Sequence, residues 1–297
     1  MSDGDRLYRF LFDGADVRGE LVQLGELYRD VVGRAEHPEG LARLVGEGLA
    51  ATSLLLATLK FSGSLTLQIQ ADGPLKLLVI QAGSDGSMRA LARADGEDLP
   101  DLALDQQAPN GALAITIDAD DQNNRYQGVV DLAAGSLAGA IEKYFRESEQ
   151  LDTRVWLSAD ADVAAGLLLQ RLPASERPSD EVDDDAWDRV GHLAATLTGD
   201  ELRNVAPTSL LYRLFHEETV RLFDPFPLRF RCRCADGRID NVINSMGADD
   251  ARALLAEEGQ IEVTCQFCST VHRYDPVDVE AIFAAPADRH PPSDESH

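Results

Sequence analysis

All four cysteines of the chain fall in two tight pairs, Cys232 and Cys234 in "RCRCADG" and Cys265 and Cys268 in "TCQFCST", with thirty residues between the pairs. Each pair lies in a hairpin-like stretch rich in turn formers. Two such knuckles facing each other place four sulfurs at the corners of a tetrahedron, and four soft thiolates suit Zn²⁺ at about 2.3 Å Zn–S. Between the pairs, "GADDARALLAEEG" reads as a helix with Asp249 and Asp250 in its first turn and Gly259 at its C-terminal end, a structured spacer that lets the pairs meet. A small domain over 229–284 is predicted, with the metal contributing on the order of 10 kcal/mol of its folding free energy. His272 and His216 could each replace a sulfur, but four cysteines already complete the shell.

Three chemistries share this spacing. The quartet can be a structural zinc knuckle. It can be a thiol–disulfide oxidoreductase, although the CxxC does not sit at the strand-to-helix junction of a thioredoxin-like unit. It can be a redox switch, because zinc holds cysteines as thiolates, the form an oxidant attacks, and a Cys232–Cys234 bridge would close a small, strained, easily reduced ring. The residues alone leave all three open.

Upstream, the pattern predicts an α+β domain over 1–173 with mainly antiparallel sheets and packed helices. Residues 6–24 read as two strands around a "DGAD" turn, and 41–60 as a largely buried helix. In "SLTLQIQ", Leu65, Leu67 and Ile69 alternate with polar residues, the mark of a strand with one face in a core. "LKLLVIQ" and "MRALARA" extend it into a meander through "DGP" and "GSDGS" turns, and "ALAITID" and "YQGVVDL" bracket a polar hairpin loop. Ser136 is placed to cap a helix carrying Leu137, Ala140, Ile141, Tyr144 and Phe145 on one stripe, after which "TRVWLSA" and "GLLLQRLP" return to strand. No phosphate loop, nucleophile elbow or paired-histidine metal motif occurs here, so the expectation is a protein that binds rather than catalyses.

Composition shifts after residue 173. Nine acidic and two basic residues lie between Glu176 and Glu201, which suggests a linker over 174–228. Its helices are nonetheless amphipathic. Trp187, Val190, Leu193, Ala194 and Leu197 recur at helical spacing behind the acidic cluster 183–185, and a second helix at roughly 208–223 carries Leu211, Leu214, Phe215 and Leu222. Such charge-rich helices depend on docking for their stability. Residues 285–297 are expected to be a disordered tail.

Fifty-two acidic against 27 basic residues give a formal charge of −25, which repels phosphate backbones and anionic lipid, so neither nucleic acid nor a membrane is expected as the main partner. Arg229, Arg231 and Arg233 do not alter this, since six basic residues face seven acidic ones over 229–274. No apolar run of membrane-spanning length occurs, and "MSDGDRLYRF" lacks the basic and apolar segments of a secretory signal, which predicts a cytoplasmic protein with reduced thiols.

The CxC, thirty residues and CxxC, with Phe267 inside the second pair and "VDVEAIF" after it, resemble the redox-regulated 33 kDa heat-shock chaperonins. So do "VRGELVQL" (17–24), "ATLKFSGSLTLQIQADGPLKLLVI" (57–80), "EKYFRESEQLDTRVWL" (142–157) and "GLLLQRLP" (166–173). His272 departs from the aromatic expected there. The resemblance implies an ATP-independent holdase, quiescent with one Zn²⁺ on Cys232, Cys234, Cys265 and Cys268. It implies activation when oxidation forms Cys232–Cys234 and Cys265–Cys268 disulfides, releases zinc, unfolds the C-terminal domain and loosens the linker. The active form is then a homodimer that binds unfolding clients. With it, Trp187, Val190, Leu193, Leu197, Leu211, Leu214 and Phe215 become the candidate client-binding residues. A zinc-dependent regulator or nucleic-acid adaptor, or a thiol oxidoreductase, are the competing functions.

Overall fold

The computed structural model describes residues 4–35, 37–58, 62–96, 99, 102–119, 125–173, 183, 185–234 and 239–284. The chain forms two compact units, Met1–Arg231 and Cys232–His297. The expected tail, part of the expected linker (174–182 and 184) and the tip of the hairpin loop (120–124) lie outside the described residues.

The first unit opens with strands β1 (Arg6–Phe12) and β2 (Val17–Leu24) and helices α1 (Glu26–Val32) and α2 (Glu39–Leu56). Strands β3 (Gly63–Gln70), β4 (Leu75–Gly83) and β5 (Ser87–Ala94), the short helix α3 (Leu104–Gln107) and strands β6 (Ala112–Ala119) and β7 (Arg125–Asp131) follow. Helix α4 (Leu137–Tyr144) then leads through a π-helical turn, Phe145–Glu149, into the hairpin β8 (Thr153–Ala159) and β9 (Ala164–Arg171). Helices α5 (Ala186–Ala194), α6 (Gly199–Asn204) and α7 (Pro207–Phe215) precede three very short strands, β10 (Val220–Leu222), β11 (Phe226–Pro227) and β12 (Arg229–Phe230).

Two sheets result. The first runs β10-β1-β2-β9-β8, with β11 also on β1, and the second β12-β5-β4-β3-β6-β7. Every pairing is antiparallel except β12 with β5, as the turn-rich, alternating sequence predicts. Leu65, Leu67 and Ile69 of β3 are all buried, and Ser136 caps α4 by accepting the Gly139 N–H at 3.1 Å.

Helix α2 is apolar on nearly every side because it contacts both sheets, β2, β8 and β9 of the first and β3, β4 and β5 of the second. Two glycines permit the close fit. A Cβ on Gly46 would lie 2.8 Å from that of Ala159, and one on Gly48 would lie 3.1 Å from the Ile80 side chain. The polar residues in this helix are satisfied internally, Thr52 and Ser53 donating to the carbonyls of Gly48 and Leu49.

A second apolar cluster joins Phe10, Phe12, Leu21, Leu167 and Leu169 of the first sheet to α5, α6 and α7. Arg189 fastens this helical layer, with Nε 2.6 Å from Glu218 and Nη2 2.6 Å from Asp183. The helix expected at roughly 208–223 ends at Phe215. Beyond it Val220–Leu222 pairs with the free edge of β1, and Leu222, assigned to the buried stripe, is 40% exposed. Open backbone groups on that edge offer the β-branched Thr219-Val220 stretch better hydrogen bonding than another helical turn.

Candidate metal centre

The second unit is a small frame built to hold a sulfur cluster. Helices α8 (Ile239–Met246) and α9 (Ala248–Glu258), the hairpin β13 (Ile261–Thr264) and β14 (Val271–Tyr274), and helix α10 (Pro276–Ala284) enclose an apolar cluster that includes the buried residues Ile243, Ala251, Leu255, Ile261 and Val279. The predicted spacer helix is α9, ending at Gly259 with φ +78°. Tyr274 donates its hydroxyl to the Asp240 carboxylate at 3.0 Å, tying β14 to α8, and burial beside that carboxylate pushes the phenol up to about 12.

The tip of this hairpin presents Cys265 and Cys268. Cys265 N–H donates to the Thr270 carbonyl at 2.9 Å and Ser269 N–H to the Cys265 carbonyl at 2.8 Å, a turn tight enough to put Ser269 at φ +56°. Cys232 and Cys234 come from the segment that opens the unit. All four sulfurs lie within 4.8 Å of one another, with Cys232 Sγ 3.6 Å from Cys265 Sγ and Cys234 Sγ 3.5 Å from Cys268 Sγ. No pair is bonded. A tetrahedral site with 2.3 Å metal–sulfur bonds has sulfur–sulfur edges of about 3.8 Å, so the donor set, its spacing and its softness fit one Zn²⁺.

Backbone donors complete the fit. The N–H groups of Phe267 and Cys268 point at the Cys265 sulfur, and the N–H of Thr270 points at Cys268. Burial raises the Cys234 and Cys265 thiols. At Cys268 burial also acts upward, but the Thr270 hydroxyl and N–H and the neighbouring sulfurs outweigh it and bring the thiol down to about 7. Hydrogen bonds of this kind orient ligand sulfurs and favour the thiolate. Thr270, Tyr274 and Asp240 escaped the sequence reading, since nothing in their spacing marks them.

Neither histidine joins the cluster. His272 lies on β14 opposite Val263, and His216 is half-exposed at the end of α7 in the first unit. The seven candidate client-binding residues are in the first unit's second cluster: Trp187, Val190, Leu211 and Phe215 are buried there, and Leu193, Leu197 and Leu214 pack half-buried against them. Among the described residues no helix is long and apolar enough to cross a membrane.

Comparison with known proteins agrees along the whole length. The profile of the family described as Hsp33 protein matches residues 5–275. A 33 kDa chaperonin of Pseudomonas fluorescens is 46% identical over 299 residues, covering 100% of this chain and 99% of its own. One from Nitrosococcus oceani is 45% identical, covering 95% and 96%. The crystal structure of the 33 kDa chaperonin, a heat shock protein 33 homologue, of Thermotoga maritima superposes with a TM-score of 0.76 at 19% identity, covering 93% of this chain and 97% of that one, a likeness of fold. With its α+β architecture and its cysteine quartet, the chain belongs to the Hsp33 family of chaperonins.

Proposed function

We propose that this chain is a redox-regulated, ATP-independent holdase that binds unfolding proteins and keeps them from aggregating, with Cys232, Cys234, Cys265 and Cys268 as its sensor. The observation that carries this reading is four unbonded thiols within 4.8 Å in a unit whose described residues form only a small apolar cluster around Ile243, Leu255, Ile261 and Val279. A core that small does not offset a loss of ~1–2 kcal/mol of backbone entropy per ordered residue. Bound Zn²⁺ would hold the four sulfurs as thiolates and supply on the order of 10 kcal/mol of folding free energy. The unit's fold and its sensitivity to oxidant therefore have one source.

Oxidation balances simply. Four thiolates give up four electrons to two molecules of hydrogen peroxide, which take four protons and leave as four waters, and two S–S bonds form. Proximity does not select the pairs, because the 3.6 and 3.5 Å contacts cross between the two knuckles. Cross-paired disulfides would staple residues 232–234 to the hairpin tip and keep the unit closed. The proposed pairing, Cys232–Cys234 and Cys265–Cys268, is the one the family resemblance implies, and such bonds close only local loops, leaving the unit with neither metal nor long-range crosslink. The proposed parts are a core at 1–173, a linker at 174–228 and a switch at 229–284.

Clients are proposed to meet the apolar stripes of the α5 to α7 layer, Trp187, Val190, Leu193 and Leu197 with Leu211, Leu214 and Phe215, exposed when this layer leaves the first sheet, on a cytoplasmic homodimer. The test is zinc content measured together with thermal aggregation of a model client, before and after warm peroxide and after reductant. About one zinc per chain should leave as protection appears, and both should reverse. Zinc that stays bound, or leaves with no gain in protection, refutes the reading, and peptide mapping of the oxidised chain checks the pairing.

A further inference from the structure

The peptide that leads into Cys232 is extended and apolar at alternate positions. Phe226, Leu228 and Phe230 all pack against the main core of the first unit, Leu228 buried and the two rings half-buried. Their backbone is shared between two sheets. Phe226 and Pro227 pair antiparallel with β1, Leu228 N–H donates to the Asp5 carbonyl at 2.9 Å, and Arg229 and Phe230 run parallel to β5. Arg229 N–H and Arg231 N–H donate to the carbonyls of Gly86 and Met88, each at 3.0 Å.

The groove that holds this peptide selects for it. Gly86, at φ +78°, comes so close that a Cβ there would lie 3.1 Å from the Phe226 ring. The Arg34 guanidinium stacks 4.1 Å from the Phe230 ring centroid, and Asp85 takes the Arg229 guanidinium at 3.2 Å. Pro225 and Pro227 bias the peptide towards extended backbone even when it is free. Yet β11 and β12 are two residues each, so few ladder hydrogen bonds oppose its departure. Arg231 is joined by a peptide bond to Cys232, so loss of the second unit's fold frees one end of the peptide.

The geometry points to Phe226–Phe230 as an internal occupant of a client slot. Once it leaves, the groove along β1 and the β5 edge accepts an extended segment of an unfolding protein that has apolar residues at alternate positions, an aromatic at the last of them and a basic residue just before it. Affinity comes from main-chain hydrogen bonds, as in strand addition, and preference from the three side-chain positions. The inference deepens the holdase reading above and rests on it.

The experiment uses the full chain, either zinc-loaded under reductant or oxidised with peroxide. Amide exchange is followed at Leu228, Arg229 and Arg231. The probe is a fluorescent peptide of residues 224–231, DPFPLRFR, with a control peptide carrying serine at its three apolar positions 226, 228 and 230. Zinc-loaded chain should protect the three amides and bind neither peptide. Oxidised chain should lose that protection, bind the probe saturably but not the control, and release it to an unfolding client. An oxidised chain that shields client while the amides stay protected, or while the probe fails to bind, overturns the slot. If the oxidised chain shields no client, the holdase reading itself fails. The slot is then decided by the exchange and probe arms alone, where retained protection or absent binding still overturns it.

Discussion

Replacing Phe215 with alanine tests how firmly the helical layer is held on the first sheet. The ring is 1% exposed, with its centroid 5.0 Å from that of Phe12 edge-on and 6.2 Å from that of Phe10. Removing a fully buried phenyl ring costs about 3–5 kcal/mol, within which edge-to-face contact accounts for about 0.5–1.5 kcal/mol. At about 1.4 kcal/mol per tenfold, the population with α7 off the sheet should rise roughly 100- to 4,000-fold. Amide exchange in the reduced, zinc-loaded chain reads this directly, as faster exchange in α7 and along β1. Phe215→Leu, which refills most of the space, should give a much smaller increase. Where this face serves clients, the reduced Phe215→Ala chain should also slow client aggregation without peroxide. Exchange in α5 to α7 within about threefold of the parent chain would refute the claim that this ring holds the layer down.

Other substitutions probe other parts. Cys265→Ser should abolish tight zinc binding and collapse the amide dispersion of residues 239–284 while leaving the first unit folded, as two-dimensional NMR would show. Tyr274→Phe removes the 3.0 Å hydrogen bond to Asp240 and should weaken zinc affinity in a chelator competition by roughly tenfold, the equivalent of about 1.5 kcal/mol for a bond to a charged acceptor. Glu20, 2% exposed in the middle of β2, is raised by burial to about 7 despite Arg18 and Arg9, which pull it down. Its folded value lies above its unfolded one, so its contribution is fully present below the unfolded value of 4.5 and is lost as pH rises through about 7. The shift corresponds to about 3 kcal/mol. Thermal melts of the parent chain should therefore drop between about pH 4.5 and 7 and level off above it, and those of Glu20→Gln should drop less.

What the sequence discloses follows from how local each cause is. Strand β3 and the stripe of α4 are written in periodicity, and their buried faces are those the spacing predicts. The four sulfurs are equally legible, because soft ligands in two close pairs have few other uses. Strands β10, β11 and β12 are not legible, since two or three residues carry no period and pair only because distant edges of β1 and β5 lie open to them. Arg229 and Phe230, read together with the cysteines, turn out to pair with β5 for that reason. Glu20 is hidden as well. A carboxylate at that point of an alternating strand reads as surface, and only the packing of β2 between β1 and β9 encloses it. The candidate client residues were visible as stripes, whereas the aromatic trio of Phe10, Phe12 and Phe215 beneath them joins positions some two hundred residues apart.

That separation governs how the protein is made. Strand β2 pairs along its whole length with β9, from Val17 opposite Arg171 to Leu24 opposite Ala164, so the first hairpin to leave the ribosome lacks its neighbour until residue 171 has been added. At about 5–20 residues per second the wait is roughly 7–30 s, and the opposite edge of β1 stays open longer still, until β10 and β11 arrive. During synthesis this nascent chain carries an unprotected strand edge of the kind that draws other chains into aggregates.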